Sequence, residues 1–274
     1  MTNIDLKNLQ KNSLKILALI VILQTFYLRF LILKVPLSVD EGLWAYIGWL
    51  LIQGKQLYSD LYSISPPLLY IPFSLSELLL GHGLTNLRIF GLSWNLLTIG
   101  SIYLVVKETF NKKIALIAAI IAFFYSIAYQ QEGHFLLLSE HLSQLPLFLS
   151  IYFLLKKRFF IAGLLISITW NMREHYLILQ VLLISYLAIN AWLRKLSWKQ
   201  VAIYSAGSAI PALLILGYFY RINHLTDYIN AVFIYRYGYL SSGWESSVSL
   251  GRLFEVFLND EQSSPSLSAA KGRG

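Results

Sequence analysis

The sequence predicts an all-α, polytopic integral membrane protein with about seven transmembrane helices and interfacial helices in the first outer loop. Three observations predict it. Hydrophobic residues fill 57% of the 274 positions and charged residues only 13%, against about 25% charged in soluble domains. Apolar runs of membrane-crossing length recur, separated by short basic loops. Aromatic residues reach 15%, with 18 Tyr and 7 Trp, which suits rings seated at the two membrane interfaces. A single core of this size cannot hide so much apolar surface, so a soluble enzyme is excluded. Disorder over most of the length is excluded too, because it needs low hydrophobicity. The chain has no cysteine, which removes disulfides, thiol catalysis and cysteine metal sites. The net charge of +8 is not interleaved with a base-stacking platform, so no nucleic acid partner is expected. Basic residues in short loops set topology instead.

The elements follow in order. Lys7, Lys11 and Lys15 precede an apolar run over residues 13–33, long enough to cross about 30 Å. Bulky Phe26, Tyr27 and Phe30 are wrong for a cleavage site, so the run reads as a signal anchor. After Pro36, Leu43, Trp44, Ile47, Leu50 and Leu51 share one helical face, and Gly54 supplies a C-terminal cap, giving a short helix in the interface. Pro66-Pro67 restarts the chain into residues 68–80, short, interrupted by Pro72 and carrying Glu77. This piece is expected to be interfacial or re-entrant rather than a crossing helix. Six further spans are expected at residues 87–106, 114–129, 136–155, 159–172, 176–192 and 201–220.

One set of loops holds twelve basic residues: Lys7, Lys11, Lys15, Lys107, Lys112, Lys113, Lys156, Lys157, Arg158, Arg194, Lys195 and Lys199. The opposite set holds five: Lys34, Lys55, Arg88, Arg173 and Arg221. The excess puts the N-terminus in the cytoplasm and the first loop outside a cell (plasma) membrane. A transmembrane domain over residues 1–258, with an outer catalytic loop at 34–86, is expected to give way to a disordered or atypical tail at 259–274, where Ser, Pro, Gly and Ala dominate.

Few side chains can carry chemistry. Asp40-Glu41 opens the amphipathic helix on the outside. Acids there favour a helix N-terminus through its dipole, or one of them serves as a general base where a lipid-linked substrate meets a water-side one. Asp60, in Tyr58-Ser59-Asp60, and the run Pro66-Pro67-Leu68-Leu69-Tyr70 mark a structured outer loop. Glu140 and His141 sit at an outer span end, where ionisable groups are costly and tend to be functional. With Glu132 and His134 they could hold a divalent cation, although the spacing matches no strong metal motif. No cofactor is otherwise indicated. Arg88 and Arg173 stand at outer span ends. Each either snorkels to headgroups or clamps a lipid phosphate. Glu174, beside Arg173, is available to pair with it.

The order Asp40-Glu41, amphipathic helix, Gly54, Tyr58-x-Asp60, Pro66-Pro67-Leu68-Leu69-Tyr70 and then Arg88 opening a span resembles the N-terminal half of GT-C fold glycosyltransferases. The resemblance is to the protein O-mannosyltransferase and aminoarabinose-transferase branch. Glu140, Ala162-Gly163 followed by Arg173, and the tyrosines at 235–239 extend it over roughly residues 14–239. It implies a sugar donor on a polyprenyl phosphate, an acceptor glycan, lipid or protein, and inversion at the anomeric carbon with Asp40 as base. Glu41, Asp60, Arg88, Glu140, His141 and Arg173 are then the expected substrate-binding residues. The chemistry is consistent: a phosphate leaving group needs no acid, so one base and one cation suffice. Members usually have more spans and a C-terminal soluble domain, and where they often carry Lys this chain has Arg173. Two other readings compete: a transporter or flippase-like protein, and an inactive, truncated transferase.

Overall fold

The computed structural model describes residues 33–128 and 137–235, together with Leu23, Tyr27, Phe30 and Leu31. The expected signal anchor (apart from those four residues and Leu33), Glu132, His134, the tyrosines at 237 and 239 and the tail at 259–274 lie outside the described residues. Among the described residues the protein is helical, with no strand beyond one isolated bridge between Leu57 and Leu61.

Helix α1 runs Val39–Ile52. Its start is a capping box: Glu41 N donates to Ser38 Oγ (3.3 Å) and Ser38 N donates to Glu41 Oε2 (3.1 Å), which satisfies two otherwise unpaired donors. Its end closes on Gly54, whose φ is +84°. Gly54 N donates to Leu51 O and Lys55 N to Leu50 O, the paired pattern of a Schellman cap. The buried face runs through Glu41, Trp44, Ile47 and Gly48. Leu43, expected on that face, is 50% exposed instead. At Gly48 the next segment lies so close that an added Cβ would stand 2.6 Å from Phe73 Cβ, so only glycine admits the crossing.

A 3₁₀ turn over Pro67–Tyr70 leads directly into α2, Ile71–Leu80. Pro72 lies in the first turn of α2, where its missing N–H costs nothing. The expected interruption is therefore a helix start. The combined segment Pro67–Leu80 is apolar but short.

The long helices follow: α3 Leu84–Thr109, α4 Lys112–Ala128, α5 Ser139–Leu155, α6 Phe159–Met172, α7 Tyr176–Trp192 and α8 Trp198–Arg221. A short α9, Leu225–Ile229, runs into a π-turn over Asn230–Tyr235. Bounds of α6 and α7 agree with expectation. α3 and α8 extend beyond it, α8 because a second capping box, Ser197 with Gln200, starts it three residues early. By length and apolarity, α3 and α8 can cross a membrane, while Phe159–Met172 and Tyr176–Trp192 are shorter.

Helix α6 is the centre of the bundle, packed against α8 on one side and α5 on the other. The α6–α8 contact is a backbone contact: a Cβ on Gly163 would lie 2.1 Å from Tyr204 O, and one on Gly207 would lie 2.2 Å from Phe160 O. α5 carries Pro146 in its interior, which leaves the carbonyl of Leu142 without its helical donor. The Trp94 indole of α3 donates to that carbonyl at 3.1 Å, so the proline break becomes an α3–α5 tie. These contacts bring the N-terminus of α1, the start of α5 and the C-terminus of α6 to one end of the bundle.

Candidate active site

Glu41 and Arg88 form a fully buried ion pair, both side chains 0% exposed. The guanidinium meets the carboxylate with both ends, Nη1 to Oε1 at 2.9 Å and Nη2 to Oε2 at 3.2 Å. Arg88 also donates to the carbonyls of Val35 (3.3 and 3.2 Å) and Pro36 (2.8 Å). Glu41 Oε1 accepts the backbone N–H of Leu137 at 3.2 Å. One pair therefore joins the chain before α1, the cap of α1, the first turns of α3 and the residues leading into α5. A buried charge pair persists only when its polar atoms find partners, and here every guanidinium nitrogen and both carboxylate oxygens have at least one. Sequence expectation gave both residues a substrate contact. The structure buries both, and neither lines a cavity with Asp40.

One residue before Glu41, Asp40 points the other way. It is exposed and lines a cavity of about 460 Å³ together with Trp44, Tyr62, Ser63, Ser65, Pro66, Leu69, Ser139, Glu140, Arg173 and Glu174. Adjacent helical positions diverge by about 100°, so Glu41 can be fixed in the interior while Asp40 faces open space.

Arg173 follows the last residue of α6 as its C-cap. Its Nη2 lies 2.7 Å from Glu140 Oε1 and its Nη1 donates to Ser139 Oγ. Ser139 Oγ in turn donates to Glu140 Oε2 at 3.0 Å. Arg173 is 23% exposed and Glu140 47%, so the guanidinium is oriented yet accessible. Glu174, available in sequence to pair with Arg173, contacts His175 Nδ1 at 2.9 Å instead. His141 is half-buried and does not line the cavity.

Asp60 is away from the cavity. Its Oδ2 accepts Gln56 N at 3.0 Å, closing the turn Gln56–Leu61, and its expected substrate contact is not part of this geometry. The wall of the cavity is pinned from behind by two tyrosines. Tyr58 donates to Ser65 O at 2.7 Å, and Tyr70 Oη shares a hydrogen with Ser63 Oγ. Tyr58 has a φ of +69°, a conformation unusual for a bulky residue. Its ring packs against Phe219 (5.2 Å) and Tyr228 (5.6 Å). Burial, with Tyr70 and Tyr228 close by, pushes its hydroxyl well above the ordinary tyrosine value, so it remains a donor.

The structure thus brings together Asp40, Glu140 and Arg173 and leaves out Asp60, Arg88, Glu41 and His141. Sequence reasoning missed Ser139 and Glu174 as cavity residues. Ser139 had one signal, its position beside Glu140. Among the described residues no group of three or more His, Asp or Glu side chains is gathered to hold a metal ion.

Chemically, the cavity offers a water-accessible carboxylate and a guanidinium fixed in orientation, the two charges that transfer from a phosphate-linked donor needs. No curated protein and no solved structure matches the chain. A family model does: that of dolichyl-phosphate-mannose-protein mannosyltransferase, over residues 65–219. That stretch runs from the cavity wall at Ser65 to the end of α8 and includes Glu140 and Arg173. More than half of the chain is covered, and the chain belongs to this family of GT-C-type membrane glycosyltransferases.

Proposed function

We propose that the protein moves a sugar from a polyprenyl-phosphate donor to an acceptor at the outer face of the cell membrane, with inversion at the anomeric carbon. Asp40 takes the proton of the acceptor hydroxyl as the new glycosidic bond forms. Arg173 holds the departing phosphate, and Glu140 and Ser139 orient Arg173. Glu41 and Arg88 position Asp40 rather than touch substrate.

The observation that carries this reading is the cavity shared by Asp40 and Arg173. Its ionisable residues come from helix ends: the first turn of α1, the first turn of α5 and the cap of α6. A transporter places such residues in broken helices near the bilayer midplane, so the positions favour a transferase at one membrane face. The twelve-to-five imbalance of basic residues supports an outer placement of that face, with the N-terminus in the cytoplasm, on a scheme of seven crossing helices.

The test is direct. Membranes containing the protein are incubated with a panel of labelled polyprenyl-phosphate sugars, and release of polyprenyl phosphate and transfer of label are followed. Transfer that depends on the protein is expected. Absence of transfer across the panel, with the protein folded and inserted, would remove the reading.

A further inference from the structure

A second cavity, of about 630 Å³, lies against the other side of the wall that bounds the first. Pro66 and Leu69 line the first, and the two residues between them, Pro67 and Leu68, line the second. The second is apolar, built from Ile52, Ile71, Leu78, Leu214, Ile215 and Tyr218. Leu78 is 65% exposed, Leu214 68% and Tyr218 54%, so the groove is open along its length. Its size falls within the roughly 300–1,000 Å³ of ligand pockets. The polar group of Ser74, also in its lining, is already bonded to Gly48 O at 2.9 Å.

Among the described residues one cation lines this groove, the exposed Lys55. Among the described residues no carboxylate lies within ion-pair distance of it. Leu214, Ile215, Tyr218 and Phe219 belong to the last turns of α8, a helix long enough to cross a membrane. An apolar trough along the end of such a helix, with a single ammonium beside it, matches an amphiphile with a negative headgroup. It is not the place for the reacting end of the donor. Lys55 follows the C-terminus of α1 and Asp40 sits at its N-terminus, so the two are about 20 Å apart along the helix axis. Nor does the uncharged body of a polyprenyl chain call for an ammonium.

We propose that this groove binds an anionic phospholipid, its acyl chains along α2 and α8 and its phosphate on Lys55. The inference rests on the membrane-embedded reading but not on sugar transfer. Occupancy also braces the first cavity. Phe219 lines the groove and packs on Tyr58 at 5.2 Å, and Tyr58 holds Ser65 O, in the wall of the first cavity.

The test uses the full chain, purified in neutral detergent and placed in phosphatidylcholine nanodiscs carrying a small fraction of phosphatidylglycerol. Lipid retained by the released protein is read by native mass spectrometry. One phosphatidylglycerol should be held in preference to phosphatidylcholine. Lys55→Gln, a change at an exposed position, should weaken that retention about tenfold, as loss of one charge-assisted contact does. Lys199→Gln, at the opposite end of α8, should leave it unchanged. Ile215→Trp, which fills the groove, should abolish it. Equal retention by the parent and Lys55→Gln would overturn the site, as would equal loss in Lys199→Gln, which would mark general charge attraction. Displacement of phosphatidylglycerol by an equal amount of polyprenyl phosphate would reassign the groove to the donor's tail. Phosphatidylglycerol retention in a protein that transfers no sugar would support the site while removing the transferase reading.

Discussion

Asp40 and Glu41 are neighbours in the chain and opposites in the fold. Glu41 is 0% exposed, locked to Arg88 at 2.9 Å, whereas Asp40 lines a cavity of about 460 Å³ that Arg173 also lines. The buried carboxylate fixes the helix turn that presents the open one. The pair of acids therefore divides into a positioning residue and a candidate base, and the two should respond differently to the same chemical change.

Asp40→Asn keeps size and leaves the capping box untouched, because the capping residues are Ser38 and Glu41. Expression, insertion and thermal stability should match the parent. Sugar transfer should fall by roughly 10²–10⁴-fold, the usual share of a positioned general base. A folded Asp40→Asn protein that transfers at the parent rate would end the base assignment.

Arg88→Ala should act on stability. It leaves the Glu41 carboxylate buried without its cation, a change that costs about 3–5 kcal/mol. Glu41→Gln should destabilise as well, and the double variant should lose less than the sum of the two singles. Denaturant or thermal unfolding in detergent measures this. Additive losses would show that the two side chains act separately.

Arg173→Ala should weaken donor binding, seen as a raised KM for the polyprenyl-phosphate sugar, with little change in stability at this partly exposed site. Arg173→Lys keeps the charge but loses the planar fork that reaches Ser139 and Glu140 from two nitrogens, so recovery should be partial. Unchanged donor KM in Arg173→Ala would return the residue to a structural pairing with Glu140.

Topology is testable by thiol labelling because the chain has no native cysteine. Tyr62 is 79% exposed, and Tyr62→Cys should react with a membrane-impermeant reagent from outside intact cells. Ser63, its neighbour, is 8% exposed and hydrogen-bonded to Tyr70, so it is the wrong position for the same experiment. Reaction at Tyr62→Cys only after the membrane is opened would invert the scheme.

Much of this architecture is written in local sequence. Apolar runs between basic loops are enough to place α6 and α7 at their observed bounds, because a helix in an apolar setting satisfies its own backbone. Gly54 as a cap is short-range chemistry, legible without the fold, whereas the Ser38–Glu41 capping box emerged only in the structure. Pro72 was legible as a signal but not in its consequence, since it starts α2, and Pro146, unread in the sequence, lies inside α5 with the Leu142 carbonyl taken by Trp94. What local sequence cannot decide is which charges meet. Arg88 and Arg173 look alike as cations at span ends, yet the fold carries Arg88 across 47 residues to Glu41 and sets Arg173 beside Glu140. Coulomb attraction falls with distance and burial strengthens it, and both distance and burial are properties of the packed bundle. The choice of an interior pair and an open pair was therefore made by the tertiary structure, from residues the sequence could only nominate.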